Sequence, residues 1–198
     1  EGALVVAGTI SSNGASIANN GGAGSGGSLI IESETLNCSG GTIVANGGTS
    51  TSGGAGGGGR ITYKAETYNA CGFMAVGGAN VGTIVNIPNT PTNLVMQSRT
   101  TSSVIWSFID RSFSENNFYL YDLEGNLLAT TPSTSVVGQG AIYTIEELGL
   151  GPNELLERVV VAVNDDASSD NSIEAVSNTL AANPELPFLD YRSNSTFT

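Results

Sequence analysis

Two stretches of the chain carry nearly the same sequence, one about 32 residues after the other. Residues 21–41 read GGAGSGGSLIIESETLNCSGG, and residues 53–72 read GGAGGGGRITYKAETYNACG. A truncated copy precedes them, because residues 8–14 (GTISSNG) match residues 41–47 (GTIVANG). A period of this size indicates a stack of structural repeats.

The repeat predicts β-strands. Apolar and polar residues alternate within its short runs, which is the period of a half-buried strand, and so many glycines disfavour a helix. If each repeat forms one coil of a parallel β-solenoid, Leu29 stacks on Ile61. The alternative is that residues 21–27 and 53–59 are flexible linkers.

Residues 7–87 resemble the Gly-rich repeats of large bacterial surface proteins. In those repeats GGGxGGxI is followed by a short strand, a GTI-type strand and Asn-Gly-Gly, and the same order of motifs is present here. The resemblance implies a parallel β-helix and no particular activity.

Composition divides the chain near Pro88. Of the 27 glycines, 22 lie at or before Gly82. We therefore predict a Gly-rich β-solenoid module at residues 1–87, a second module at 88–183 and a C-terminal tail at 184–198.

Charge argues against several classes of function. The net charge is −12, and residues 89–198 carry 14 acidic residues against four arginines. Such a chain repels phosphate backbones and anionic lipid, so we expect neither nucleic-acid binding nor membrane insertion. The chain has no His, which removes the usual general base and the commonest zinc ligand.

An enzyme is one hypothesis for the first module, because many β-helix proteins cleave or eliminate acidic polysaccharides. The candidate carboxylates are Glu32, Glu34 and Glu66, but the repeats are too few to form a long groove. Glu34 and Glu66 stand in register, which favours a polar row on the outside of the stack. We predict that the chain is not an enzyme.

Residues 88–183 predict an antiparallel β-sandwich. Seven short alternating runs are separated by turns, and Trp106 is predicted to be buried between the two sheets. Residues 158–164 (RVVVAVN), Trp106 and Pro152-Asn153 together resemble a fibronectin type III domain. That resemblance implies a tyrosine in the corner before residues 158–164, where this chain has Leu156, so we expect packing to hold the corner.

Cys38 and Cys71 are the only cysteines, and they lie 33 residues apart. This spacing is close to the repeat, so it places them on adjacent coils within the Cα separation that a disulfide needs. Two cysteines in an oxidising compartment are most simply a bonded pair. The alternative is two unpaired buried thiols.

A calcium site is the one cofactor that the sequence suggests. Asp165, Asp166 and Asp170 cluster in one loop, and calcium prefers oxygen ligands. The alternative is an ordinary polar turn, since Asp, Asn and Ser are common turn residues.

The C-terminal tail is unusually apolar for a chain end. It carries four large apolar residues, namely Leu186, Phe188, Leu189 and Tyr191. We expect these residues to dock on a neighbouring subunit, either as an added strand or as an apolar plug. The alternative is a linker that packs on its own sandwich.

These features together predict a secreted or cell-surface structural protein. A short solenoid cannot cover its own ends, and an uncovered end is an open sheet edge. Self-association from head to tail would then build a polymer, either a fibre or an adhesive stalk. The alternative is a carbohydrate-binding or polysaccharide-degrading accessory module that binds surface glycans.

Overall fold

The computed structural model describes residues 2–69, 71–78, 80–134 and 139–183. These residues form fourteen β-strands and contain no helix, so the prediction of an all-β chain is confirmed. No helix long and apolar enough to cross a membrane occurs in these ranges.

The first seven strands form two parallel sheets. Their orders are β1-β3-β5-β7 and β2-β4-β6. Their bounds are β1 (Ala3–Val5), β2 (Thr9–Ser11), β3 (Ser28–Asn37), β4 (Thr42–Val44), β5 (Arg60–Asn69), β6 (Gly72–Met74) and β7 (Thr83–Asn86). Leu29 pairs with Ile61, and Thr9 pairs with Thr42. The strands therefore stack in the register of the sequence repeat.

A coil is defined here as one strand from each of the two sheets together with the Gly-rich segment that follows the second strand. Coil one is residues 3–27, coil two is 28–59 and coil three is 60–82; β7 lies beyond them. Apolar side chains between the two sheets fill the stack, with Leu36, Ile43 and Ile61 wholly buried.

The Gly-rich segments hydrogen-bond to one another with a spacing of three residues. In coil one, the Gly24 amide donates to Ala15 O and the Gly27 amide donates to Ser12 O, at 3.0 and 2.7 Å. Three residues per turn is the period of a polyproline II helix, in which glycine permits close chain contact, as in collagen. Glycine is thus required for packing in these segments.

Contacts between coils show why glycine is required. A Cβ on Gly59 would overlap the carbonyl oxygen of Gly27, its counterpart in the preceding coil. In the same way, a Cβ on Gly41 would overlap the carbonyl oxygen of Val6. Each coil therefore rests with a glycine Cα against a carbonyl group of the coil before it.

The structure contains a Cys38–Cys71 disulfide, with a Cα–Cα distance of 4.6 Å. Cys38 has the place in coil two that Val6 has in coil one, and Cys71 has the place in coil three that Gly41 has in coil two. Between coils one and two, this corner is where Gly41 packs against the Val6 carbonyl. Between coils two and three, the disulfide occupies the same corner.

The remaining seven strands form an antiparallel sandwich. One sheet has the order β11-β10-β13-β14 and the other has the order β12-β9-β8. Their bounds are β8 (Thr92–Arg99), β9 (Ser103–Ile109), β10 (Asn117–Tyr121), β11 (Leu127–Pro132), β12 (Ile142–Leu148), β13 (Leu155–Val163) and β14 (Ala175–Asn178). The core between the sheets includes Trp106, Phe108, Phe118 and Leu120.

Trp106 is wholly buried and carries a polar partner. Its indole Nε1 donates to Glu147 Oε2 at 3.0 Å, and the same carboxylate binds the Arg158 guanidinium at 2.6 Å. Both charged residues are buried, so each needs the other to offset the cost of leaving water.

The corner before β13 is held by more than packing. Leu156 is fully buried in the core, as the sequence leads one to expect. In addition, Thr179 donates its hydroxyl to Gly151 O at 2.6 Å and accepts the Glu154 amide at 2.8 Å. A threonine on the neighbouring chain segment thus supplies the hydrogen bonds, and the expectation of packing alone was incomplete.

We predict that Trp106→Ala destabilises the sandwich by about 3–5 kcal/mol, because it removes a large buried ring. It also leaves the buried Glu147 without its indole donor. Ile142→Ala is the control, since this side chain is 74% exposed. Thermal unfolding followed by circular dichroism measures both, and equal melting temperatures would contradict the proposed core.

We predict that Gly59→Ala destabilises the stack by about 1–3 kcal/mol, the usual range for an overpacked site. Gly54→Ala in the same segment is the matched control, because a Cβ there meets no atom within 4 Å. Urea unfolding of both variants measures the difference. If the two variants unfold at the same urea concentration, the contact does not constrain the stack.

Candidate functional site

The two ends of the stack are the first candidate for a functional surface. Strands β1 and β2 form one end, and β6 and β7 form the outer edges of the same two sheets at the other. Large apolar side chains are exposed at both ends: Val5 at the first, and Met74, Val76, Val81 and Ile84 at the second. Within the described residues no further strand pairs with either end.

Gly8 distinguishes the end that β1 and β2 form. It immediately precedes Thr9, as Gly41 precedes Thr42, and Thr9 pairs with Thr42. Gly41 needs to be glycine because of the Val6 carbonyl, whereas a Cβ on Gly8 would meet no described atom within 4 Å. The chain thus has a glycine at a coil-contact position where the described residues supply no contact.

The two halves meet through polar groups. On β5, the Glu66 carboxylate oxygens lie 2.8 and 2.9 Å from Arg111 Nη2, and Gln139 Nε2 donates to the same carboxylate at 3.0 Å. Glu66 therefore lies on the outside of the stack, as expected, but it binds the second half of the chain, a role that the sequence did not predict. The sequence carries no signal for this pairing, because the partners lie 45 and 73 residues apart.

The three aspartates of the suggested calcium loop have separate partners. Asp165 accepts Asn116 Nδ2 at 2.9 Å, whereas Asp170 binds Lys64 at 3.1 Å across the junction. Asp166 Oδ2 lies 3.5 Å from the Asn86 amide of β7. No group of three or more His, Cys, Asp or Glu side chains that could hold a metal ion occurs among the described residues. Calcium binding by this loop stays a prediction.

A polar cavity of about 230 Å³ lies at the junction. Its lining residues come from both halves, namely Gly2, Glu32, Ser33, Lys64, Glu66 and Asn89. The Asn89 Nδ2 and Ser33 Oγ atoms are buried and have no hydrogen-bond partner among the described residues. The junction thus contains unsatisfied polar groups beside its ion pairs.

A pair of carboxyl groups that the sequence interpretation missed lies in the loop between β9 and β10. Asp110 is wholly buried, and the Glu115 carboxyl lies beside it. Burial, and then the neighbouring Glu115 carboxyl, raises the pKa of Asp110 from its ordinary 3.8 to about 7. Below that pH Asp110 is mostly protonated.

The other predicted site residues are Trp106 and four residues of the C-terminal tail. Trp106 is in the sandwich core, away from both stack ends and the junction contacts described above. Leu186, Phe188, Leu189 and Tyr191 lie outside the described residues. The proposed role of the tail in assembly therefore stays a prediction.

Comparison with solved structures finds similarity to fibronectin type III domains over about half of the chain. The crystal structure of FN3tt is 17% identical, covers 48% of this chain and 97% of that chain, and has a TM-score of 0.38. The FN5 domain of Drosophila Lar is 18% identical, covers 48% of this chain and 99% of that chain, and has a TM-score of 0.33. No protein-family model and no curated protein matches the sequence.

We predict that Asp110 makes the chain less stable as the pH rises. Its ordinary pKa is 3.8, whereas its pKa in the folded chain is about 7, so between these values the native state holds a proton that the unfolded state has released. This contribution is fully present below pH 3.8 and is lost as the pH rises to about 7.

Asp110→Asn isolates this contribution, because the amide retains the shape of the side chain but does not titrate. Urea unfolding at several pH values between 4 and 8 gives the free energy of unfolding of both chains. We expect the free energy of unfolding of the variant to increase relative to that of the native chain as the pH rises. Parallel pH profiles would show that Asp110 titrates normally.

Proposed function

We propose that this chain is an extracellular structural protein, a subunit of a cell-surface fibre or adhesive stalk. Subunits assemble head to tail, so that the β1 and β2 end of one stack docks on the β6 and β7 end of the next. The contact is heterologous and does not close on itself, which produces a filament.

Gly8 carries this proposal. Glycine in a strand-rich segment costs backbone entropy, and nothing described within the chain requires it at this position. A further coil placed before coil one would contact Gly8 as the Val6 carbonyl of coil one contacts Gly41. We assign that further coil to a second copy of the chain.

The open edges support the same proposal. Natural proteins protect sheet edges with charged residues, proline or bulges. The strands at both ends have none of the charged or proline residues: ALV in β1, TIS in β2, GFM in β6 and TIVN in β7. The outer edge of β7 is occupied at Asn86, whose amide lies 3.5 Å from Asp166 Oδ2 and whose carbonyl accepts Asn164 Nδ2 at 3.1 Å. The edges of β1, β2 and β6 have no such partner among the described residues, so they are competent to pair with another strand.

A disulfide and the fold of the second half support an extracellular location. Disulfides persist in oxidising compartments and are rare in the cytosol, and this one joins coils two and three. Fibronectin type III domains, which the second half resembles, are common spacers in extracellular and adhesion proteins.

The junction cavity favours the structural role over a glycan-binding one. Sites for small ligands are lined predominantly by hydrophobic and aromatic side chains with a few polar groups. None of the residues that line this cavity is aromatic. Its two acidic lining residues, Glu32 and Glu66, would repel an acidic sugar. A glycan array tests the alternative directly.

Gly8→Val tests the proposal. A side chain at this position fits within the chain, so we expect an unchanged melting temperature, but it blocks the approach of a second coil. Assembly is measured by light scattering after size-exclusion chromatography and by negative-stain microscopy across a range of concentrations. We expect filaments from the native chain and monomers of 20.1 kDa from Gly8→Val.

Gly57→Val is the matched control, because it adds the same side chain where a Cβ also meets no atom within 4 Å. This control should assemble like the native chain. Truncation after Asn183 separately tests the tail. A native chain that stays monomeric at all concentrations would overturn the proposed function. Filaments from Gly8→Val would overturn only the assignment of the β1 and β2 end as a docking surface.

A further inference from the structure

The loop between β9 and β10 concentrates oxygen-bearing side chains. Asp110, Ser112, Ser114 and Glu115 lie within six residues, and the Ser112 and Ser114 hydroxyl oxygens are 3.3 Å apart. Asp110, Ser112 and Ser114 occupy alternate positions, and the ligands of EF-hand calcium loops likewise come from positions one, three and five.

Each carboxyl of the loop has one oxygen held by the protein and one oxygen without a partner. Asp110 Oδ1 accepts the Ser112 amide at 2.9 Å, and Glu115 Oε1 accepts the Ser133 hydroxyl at 2.7 Å. Asp110 Oδ2 and Glu115 Oε2 are buried and have no hydrogen-bond partner among the described residues. The donors therefore orient the two groups and leave one oxygen of each uncommitted.

The nearest positive charge in the sequence is used elsewhere. Arg111 lies between the ligating positions, but its guanidinium binds Glu66 of the first half. The neighbouring Asn116 likewise turns its amide to Asp165. The Glu115 carboxyl is half-buried and lies beside the wholly buried Asp110 carboxylate. When both groups are ionised they repel each other and Asp110 lacks hydration, so a bound cation would stabilise the pair.

The donor set selects among cations. Carboxylate and hydroxyl oxygens suit hard ions such as calcium and magnesium. The chain has no His and its two cysteines are bonded to each other, so zinc lacks its usual ligands. Calcium accepts an irregular set of six to eight oxygens, whereas magnesium demands near-ideal octahedral geometry. A six-residue loop with two carboxylates fits calcium better.

We propose that Asp110 Oδ2 and Glu115 Oε2, with the hydroxyls of Ser112 and Ser114, form a calcium site in this loop. Backbone carbonyls and water complete the coordination, as is usual for calcium. The ion neutralises the buried pair and orders the loop that carries Arg111 to the junction. Calcium therefore stiffens the connection between the two halves.

Thermal unfolding followed by Trp106 fluorescence tests the proposal, because this residue is the only tryptophan and reports on the sandwich alone. At pH 7.5, we expect 10 mM CaCl₂ to raise the melting temperature by about 5 °C over an EDTA-treated sample, for a millimolar extracellular-type site. MgCl₂ at the same concentration controls for screening of the acidic surface, and we expect a smaller shift.

Asp110→Asn and Glu115→Gln keep the side-chain shapes and remove the charges, and both should abolish the calcium shift while the chain stays folded. Asp165→Asn is the matched control in the loop first suggested by the sequence, and it should keep the full shift. If calcium acts no more strongly than magnesium on the native chain, the pair holds only a proton and the proposal fails. If Asp110→Asn keeps the shift and Asp165→Asn loses it, the ion binds in the other loop.

Discussion

The contact between a glycine Cα and a carbonyl group of the preceding coil sets the geometry of the first half. At Gly59 a single methyl group would overlap the Gly27 carbonyl, so the Gly-rich segments approach as closely as two backbones can. This approach lets amides of one coil donate to carbonyls of the preceding coil, as the Gly48 amide does to Gly24 O at 2.8 Å. Strands of both sheets are then held in one register, and apolar side chains between the sheets are aligned for packing.

The same constraint explains which features could be predicted from sequence. Glycine placement repeats with the coil, so the register of Leu29 on Ile61 and the proximity of Cys38 to Cys71 both follow from the period. Burial of Trp106 follows from strand alternation. The Glu66–Arg111 pair does not follow, because it depends on how two separately patterned halves meet. Thr179 at the corner was missed for a related reason, since its partners lie 25 and 28 residues away.

The acidic pair shows a different limit of sequence interpretation. Asp110 and Glu115 are close in sequence, and the spacing of the loop DRSFSE was the available signal. Residues 165–170 contain more aspartates, which is why the sequence predicts a calcium loop there. The number of acids alone does not identify a cation site, because exposed carboxylates can have separate partners, as Asp170 has Lys64. Burial of an uncommitted oxygen is the more informative property, and it is visible only in three dimensions.

The division of charge between the halves bears on how subunits would associate. Residues 1–88 carry a net charge of −2, whereas residues 89–198 carry −10. The acidic sandwiches repel one another at short range, which opposes lateral association and is weakened by salt. The stack ends, by contrast, present uncharged strands with exposed apolar residues. In the proposed assembly, attraction would act along the stack axis and repulsion at the sides, which would favour a single unbranched filament over a bundle or a sheet.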